Sequence, residues 1–128
     1  MKDFNSWNQV KINTEAQKHP HFKEGELFFA RIGENVGFEA CGKGDQFLRP
    51  VLVFRKFNQR TFWAIPMSTT IREGDFFVND YFIRNTKSSI LLSQIKLLDA
   101  KRLIRKIGAI PRKRLLEIGE KLKKLFPK

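Results

Sequence analysis

Residues 43–57, KGDQFLRPVLVFRKF, change character halfway along. A loop of Gly42, Lys43, Gly44 and Asp45 leads to Arg49-Pro50, and Val51-Leu52-Val53-Phe54 then forms an unbroken apolar run closed by Arg55 and Lys56. A short continuous run of this kind reads as a strand buried on both faces. The arginine at its mouth stands beside a proline that fixes the local backbone. Such an arginine is either a solvated turn charge or a side chain that meets a phosphate, and the rest of the chain bears on which.

Outward from this strand the pattern repeats. ELFFARI (26–32) is rich in aromatic and apolar residues and bounded by glycines, and TFWAIPM (61–67) follows across the short turn NQR (58–60). DFFVNDYFI (75–83) and SSILLSQIKLL (88–98) come next, separated by RNTK (84–87). Short strands joined by tight turns predict a small barrel or a strongly twisted sheet. By alternation Phe28, Phe29, Trp63, Phe76, Phe77 and Phe82 are mostly core. Adjacent pairs such as Phe28-Phe29 must point to opposite faces, which leaves one ring of a pair open to stack an unpaired base.

Helices are expected at both ends. Residues 3–17 form an amphipathic helix that Asp3 caps, with Phe4, Trp7 and Val10 on one face, and Pro20 disfavours helix at His19. DAKRLIRK (99–106) reads as a short helical turn and IGAI (107–110) as a short strand. The segment from Pro111, a good first helical residue, sets Leu115, Ile118, Leu122 and Leu125 on one stripe. The predicted fold class is therefore mainly β with helices: a small barrel flanked by an N-terminal helix and a C-terminal amphipathic helix. The 128 residues suffice for a single domain with a real core, with residues 1–20 as a helical extension.

Lys and Arg total 25 against 13 acidic residues, a net charge of +12, and from Lys101 onward eleven basic residues face two glutamates. Such a field attracts polyanions. The basic last helix reads as packed on a core with its charges solvated. The single cysteine, Cys41, forms no internal disulfide, which fits a reducing cytoplasm. The polar N-terminus has no signal-peptide core, and no run approaches the roughly 18 apolar residues of a membrane span. The only histidines, His19 and His21, flank one proline and are poorly placed to bracket a scissile phosphate. Carboxylates are sparse, so neither a two-metal site nor any cofactor is expected. Arginine, hydroxyl and one carboxylate are the tools present, and they suit charge stabilisation at phosphorus.

Five elements in order carry a family resemblance: a strand after glycine (GELFFARI), a Gly-x-Glu loop (37–39), RPVLV, a small-hydroxyl cluster after proline (PMSTT), and LLSQIKLLDAKRLIRKIG. Over residues 25–126 the chain resembles the MazF/PemK toxins of type II toxin–antitoxin modules. The resemblance implies an SH3-like barrel of the MazF/CcdB type, a homodimer, metal-independent and sequence-specific cleavage of single-stranded RNA, and inhibition by an acidic antitoxin. It places the catalytic arginine on Arg49, the catalytic hydroxyl on Ser68 or its neighbour Thr69, and the loop glutamate on Glu39. RNA contacts are expected from Lys43, Arg55, Lys56 and Gln94. The glutamine that usually follows the loop glutamate is Ala40 here, and the loop from Glu39 to Arg49 is longer than in compact members.

The residues agree with such chemistry on physical grounds. A guanidinium fork holds two phosphoryl oxygens bidentately and a hydroxyl donates a further hydrogen bond; arginine stays protonated and is a poor base in water, so Arg49 is assigned to charge stabilisation first, with a proton-transfer role implied only by the resemblance. Two other readings stand beside this one: a gyrase-directed toxin of the CcdB type, and a non-catalytic nucleic-acid-binding barrel.

Overall fold

The computed structural model describes residues 2–33, 35–37, 39–44 and 46–127. Two residues of the sequence elements singled out above, Phe38 in the Gly-x-Glu element and Asp45 in the glycine loop, lie outside these. The order of elements is α1 (Phe4–Glu15), β1 (Glu26–Arg31), β2 (Leu48–Lys56), β3 (Thr61–Ser68), β4 (Phe77–Ile83), β5 (Thr86–Leu91), β6 (Lys96–Asp99), β7 (Leu103–Ala109) and α2 (Arg112–Lys123). The strands pair antiparallel in the order β4-β5-β3-β2-β1-β7, with β6 also on β3. The sheet curls so far that its two ends approach: a Cβ added at Gly108 of β7 would lie 3.9 Å from the Phe82 carbonyl oxygen of β4. This is the mainly β, barrel-like fold with a helix at each end that the sequence predicts.

The central strands are buried on both faces, which explains their continuous apolar runs. Leu27, Leu52, Ile65 and Met67 point into one core with Val78, Ile90 and Leu92, and α2 covers it with Leu115, Ile118 and Leu122. Phe28, Val51, Val53, Phe62 and Ala64 point the other way, into a second core closed by Phe22, Leu98, Ala100 and Leu103. Pro66 sits in the middle of β3, a poor place for a residue without an N–H. It falls between the stretch of β3 paired with β6 (61–64) and that paired with β5 (67–68), where no ladder bond is asked of it. The β2–β3 turn is held by Asn58, whose Oδ1 accepts from the backbone N–H groups of Arg60 (2.7 Å) and Thr61 (2.9 Å).

Several expectations need correction. Residues 88–98 are not one strand: β5 ends at Leu91, a 3₁₀ turn covers Leu92–Gln94, and β6 begins at Lys96. Both halves pair with β3, at opposite ends, and the chain must step sideways to reach both registers. The helical turn expected over 99–106 is confined to Ala100–Arg102, and Leu103 onward joins β7, because the edge of β1 offers a ladder that a single turn cannot match. Pro111 is the cap residue of α2, one place before its first helical residue. Phe4, Trp63 and Phe76 are exposed; Trp63 lies edge-on to Phe57 at 5.0 Å.

The first turn of α2 carries Arg112, Lys113 and Arg114 and no acid, against the preference of a helix N-terminus. Other elements supply the missing negative charge: Glu24 lies 3.0 Å from Arg112, and Asp80 lies 3.3 Å from Arg114. Apolar packing thus holds α2. Ile118→Ala is expected to lower the unfolding free energy by about 2–5 kcal/mol. Leu116→Ala, at a site 58% exposed, should stay within about 0.5 kcal/mol. Urea denaturation of the two variants checks this pair.

Candidate active site

Arg49 is the second residue of β2, opposite Ala30 of β1, and its side chain is half-buried. Its Nε donates to the Cys41 carbonyl at 2.6 Å and its Nη1 to the Met67 carbonyl at 3.0 Å. One anchor therefore lies on the loop between β1 and β2, and the other is the residue before Ser68 on β3. With these two bonds made, both N–H donors of Nη2 and one of Nη1 remain for a ligand. Burial pushes the guanidinium below its usual range, with the Arg72 charge adding to the effect and Cys41 opposing it. A cation that has given up hydration is in a position to gain much from an incoming anion.

The cleft beside it has a volume of about 380 Å³ and is lined by Lys43, Ser68, Thr69 and Thr86 together with Phe29 and Ile83. Ser68 Oγ accepts from the Thr70 backbone N–H at 3.1 Å, so its own proton is left to donate. Thr69 is exposed at the rim. Phe29 is the outward ring of the Phe28-Phe29 pair, with the Arg105 guanidinium 5.0 Å from its centroid. The structure thus brings Arg49, Ser68, Thr69 and Lys43 together.

The other expected residues lie elsewhere. Glu39 and Gln94 line a different cleft, together with Ala40 and Lys96. Glu39 Oε1 accepts from the Val36 N–H (2.9 Å), and Gln94 Oε1 accepts from the Ala40 N–H (2.6 Å), which ties the loop to the turn after β5. Arg55 and Lys56 stand at the other end of β2, outside the Arg49 cleft. Arg55 lies 3.7 Å from Glu24, and Lys56 donates from Nζ to the Phe22 carbonyl at 2.8 Å. Among the described residues no group of three His, Cys, Asp or Glu side chains stands together, and no helix is long and apolar enough to cross a membrane.

Sequence reasoning did not single out Lys96 and Arg102, both partly withdrawn from water. Burial lowers the pKa of Lys96 from its ordinary 10.5, and the Arg102 charge lowers it further, against smaller opposing effects of Glu39 and Cys41. Lys96 showed only as a charge between the apolar Ile95 and Leu97, which a strand edge also produces, and Arg102 only as the second charge of the pair Lys101-Arg102.

The PemK-like, MazF-like toxin family of type II toxin–antitoxin systems matches residues 23–126. The chain belongs to that family and is a toxin of such a system, and the gyrase-directed reading is not favoured. Among solved structures, the Mycobacterium tuberculosis toxin MazF-mt6 is 16% identical with a TM-score of 0.59, over 77% of this chain and 93% of that one. MazF from Deinococcus radiodurans (Form-I) is 20% identical with a TM-score of 0.61, over 85% and 97%. An endoribonuclease in complex with its cognate antitoxin from a mycobacterial species is 15% identical with a TM-score of 0.59, over 81% and 93%. At these identities the likeness is one of fold. No curated protein matches the chain.

The partly buried Lys96 has a consequence for stability. Its folded pKa is lowered, so just below 10.5 the unfolded chain binds more protons and stability rises with pH. The cost of the ammonium is full at neutral pH and is relieved as pH climbs toward 10.5. Lys96→Met should therefore raise the urea midpoint at pH 7, with a smaller gain at pH 10.

Proposed function

We propose that the protein is the endoribonuclease toxin of its module and cleaves single-stranded RNA in the Arg49 cleft. The observation that carries this reading is the half-buried Arg49 guanidinium, fixed by two main-chain carbonyls with its remaining donors free beside Ser68. In RNA the 2′-OH attacks the adjacent phosphorus: the O2′–P bond forms as the P–O5′ bond breaks, the hydroxyl gives its proton to solvent, and the departing oxygen takes one back. Negative charge gathers on the phosphoryl oxygens meanwhile. Donors that are already oriented stabilise it without reorganising at the moment of reaction.

Arg49 therefore stabilises charge, and the Ser68 hydroxyl donates alongside it, with Thr69 as the alternative at the rim. Lys43 holds a neighbouring phosphate, and Phe29 offers a face to an unpaired base. Glu39 and Gln94, across the loop, meet a more distant part of the strand. The cleft's donors are a guanidinium, an ammonium and hydroxyls, so charge stabilisation is supplied by the chain itself. An acidic antitoxin is the natural inhibitor of a surface with net charge +12; the mycobacterial endoribonuclease was solved with its cognate antitoxin, and a MazE–MazF structure is known from Deinococcus radiodurans. Homodimer formation rests on the family likeness. RNA as substrate and the lone cysteine favour the cytoplasm.

Two measurements test this. Single-stranded RNA should be cleaved in EDTA at an undiminished rate; loss of activity restored by magnesium would contradict the reading. Arg49→Lys replaces a fork by a point charge. It should keep the fold by circular dichroism and keep KM, while kcat falls on the order of a hundredfold or more. Ser68→Ala and Thr69→Ala, made separately, identify the hydroxyl by the larger fall in kcat.

A further inference from the structure

The helix α1 lies outside the segment that matches the toxin family, which begins at residue 23. It nevertheless packs against the loop that anchors Arg49. Trp7, Val10 and Phe47 form a small apolar cluster of their own, separate from the two cores of the sheet. The Trp7 and Phe47 rings are 5.5 Å apart, and the Arg102 guanidinium lies 5.5 Å from the Trp7 ring. The indole sits directly on Gly33: a Cβ there would fall 1.9 Å from Trp7 Cε2, so only glycine admits it. Its φ of +89° points to the same choice.

From Gly33 the contacts run unbroken to the arginine. The Gly33 carbonyl accepts from the Gly42 N–H at 2.8 Å. That N–H and the Cys41 carbonyl belong to one planar peptide unit, and the Cys41 carbonyl is the acceptor of Arg49 Nε at 2.6 Å. The unit is thus held on one edge by Gly33 and on the other by Arg49. Phe47 closes the arrangement: its carbonyl accepts from the Ile32 N–H (3.0 Å) and the Gly33 N–H (3.3 Å), and it lies so near Gly42 that a Cβ there would be 1.6 Å from Phe47 O.

The far end of α1 is fastened independently. Thr14 Oγ1 accepts from Arg31 Nη1 at 3.1 Å, and the Glu15 carbonyl accepts from Lys101 Nζ at 2.9 Å. The start is tied as well, by Lys2 Nζ donating to the Asn35 and Gly37 carbonyls.

We propose that α1 is a clasp for the β1–β2 loop and that Trp7 is a positioning residue for Arg49, acting through Gly33 and the Cys41–Gly42 peptide. The helix touches no reacting atom. It supplies an order that the longer loop of this chain requires, and removing it sets the first anchor of the guanidinium adrift. The catalytic part of this inference rests on the endoribonuclease reading, whereas the mechanical part does not.

Cys41, the only cysteine in the chain, provides a readout at the anchor itself. The full-length protein and its Trp7→Ala and Trp7→Phe variants are compared for cleavage of single-stranded RNA and for the rate at which Ellman's reagent modifies the native thiol. In Trp7→Ala, kcat is expected to fall about ten- to a hundredfold, as for misplacement by a fraction of an ångström to an ångström, with KM within about twofold. Cys41 modification accelerates severalfold, and Trp7→Phe recovers most of both. If Trp7→Ala does not fold, Val10→Ala, a milder truncation of the same cluster, should give smaller changes in the same directions. Unchanged thiol reactivity would overturn the clasp. Faster modification with unchanged kcat would overturn the link to Arg49. A wild-type protein that leaves RNA intact would defeat the endoribonuclease reading and with it the catalytic role of Trp7, while the thiol rates would still decide whether the clasp exists.

Discussion

The guanidinium of Arg49 is held by two main-chain carbonyls far apart in sequence, one on the β1–β2 loop and one on β3, and the candidate site depends on this. Arginine carries high side-chain entropy, and an exposed one would sample many positions. Here half-burial and two hydrogen bonds remove that freedom before any ligand arrives. The Met67 carbonyl is set by the register of β2 on β3, where Val51 faces Pro66. The Cys41 carbonyl is set by the loop. Whatever stabilises the sheet therefore supports one anchor, and whatever orders the loop supports the other. The two cores of the sheet and the small cluster around Trp7 divide these tasks.

Charge is arranged on the same plan. The stretch from Lys101 onward, which contains β7 and α2, holds eleven basic residues against two acidic ones, and the basic residues of these two elements pair with Glu24, Glu26 and Asp80 of other elements and with Glu117 and Glu120 within α2. Most of these pairs are exposed and contribute little to stability, typically below about 1 kcal/mol each. They chiefly lessen repulsion among neighbouring cations. The remaining positive field favours polyanions and is screened by salt, so it bears on how fast RNA or an acidic antitoxin arrives more than on the chemical step.

The main strands could be read from the sequence because burial on two faces leaves a plain mark, as in Val51-Leu52-Val53 and in Phe28 beside Leu27. Arg49 stood out because a proline follows it and an apolar run begins there. The break between β5 and β6 was hidden, since Leu91, Leu92 and Ile95 continue the apolar pattern through a turn. Arg55 and Lys56 look adjacent to Arg49 in sequence, but six extended residues span about 20 Å. The carbonyl anchors carry no side-chain signature at all. Trp7 read as one face of an ordinary amphipathic helix, and its partner Gly33 as a loop glycine; only the fold joins them.

The most direct measurement is a crystal structure of the protein with a single-stranded oligoribonucleotide 2′-O-methylated throughout, which removes the attacking hydroxyl. A preorganised arginine predicts a backbone phosphate within about 2.7–2.9 Å of Arg49 Nη2 and beside Ser68 Oγ. The bonds of Nε to the Cys41 carbonyl and of Nη1 to the Met67 carbonyl should be unchanged. A strand bound with no phosphate at Arg49, or a guanidinium that must leave both carbonyls to reach one, would contradict it.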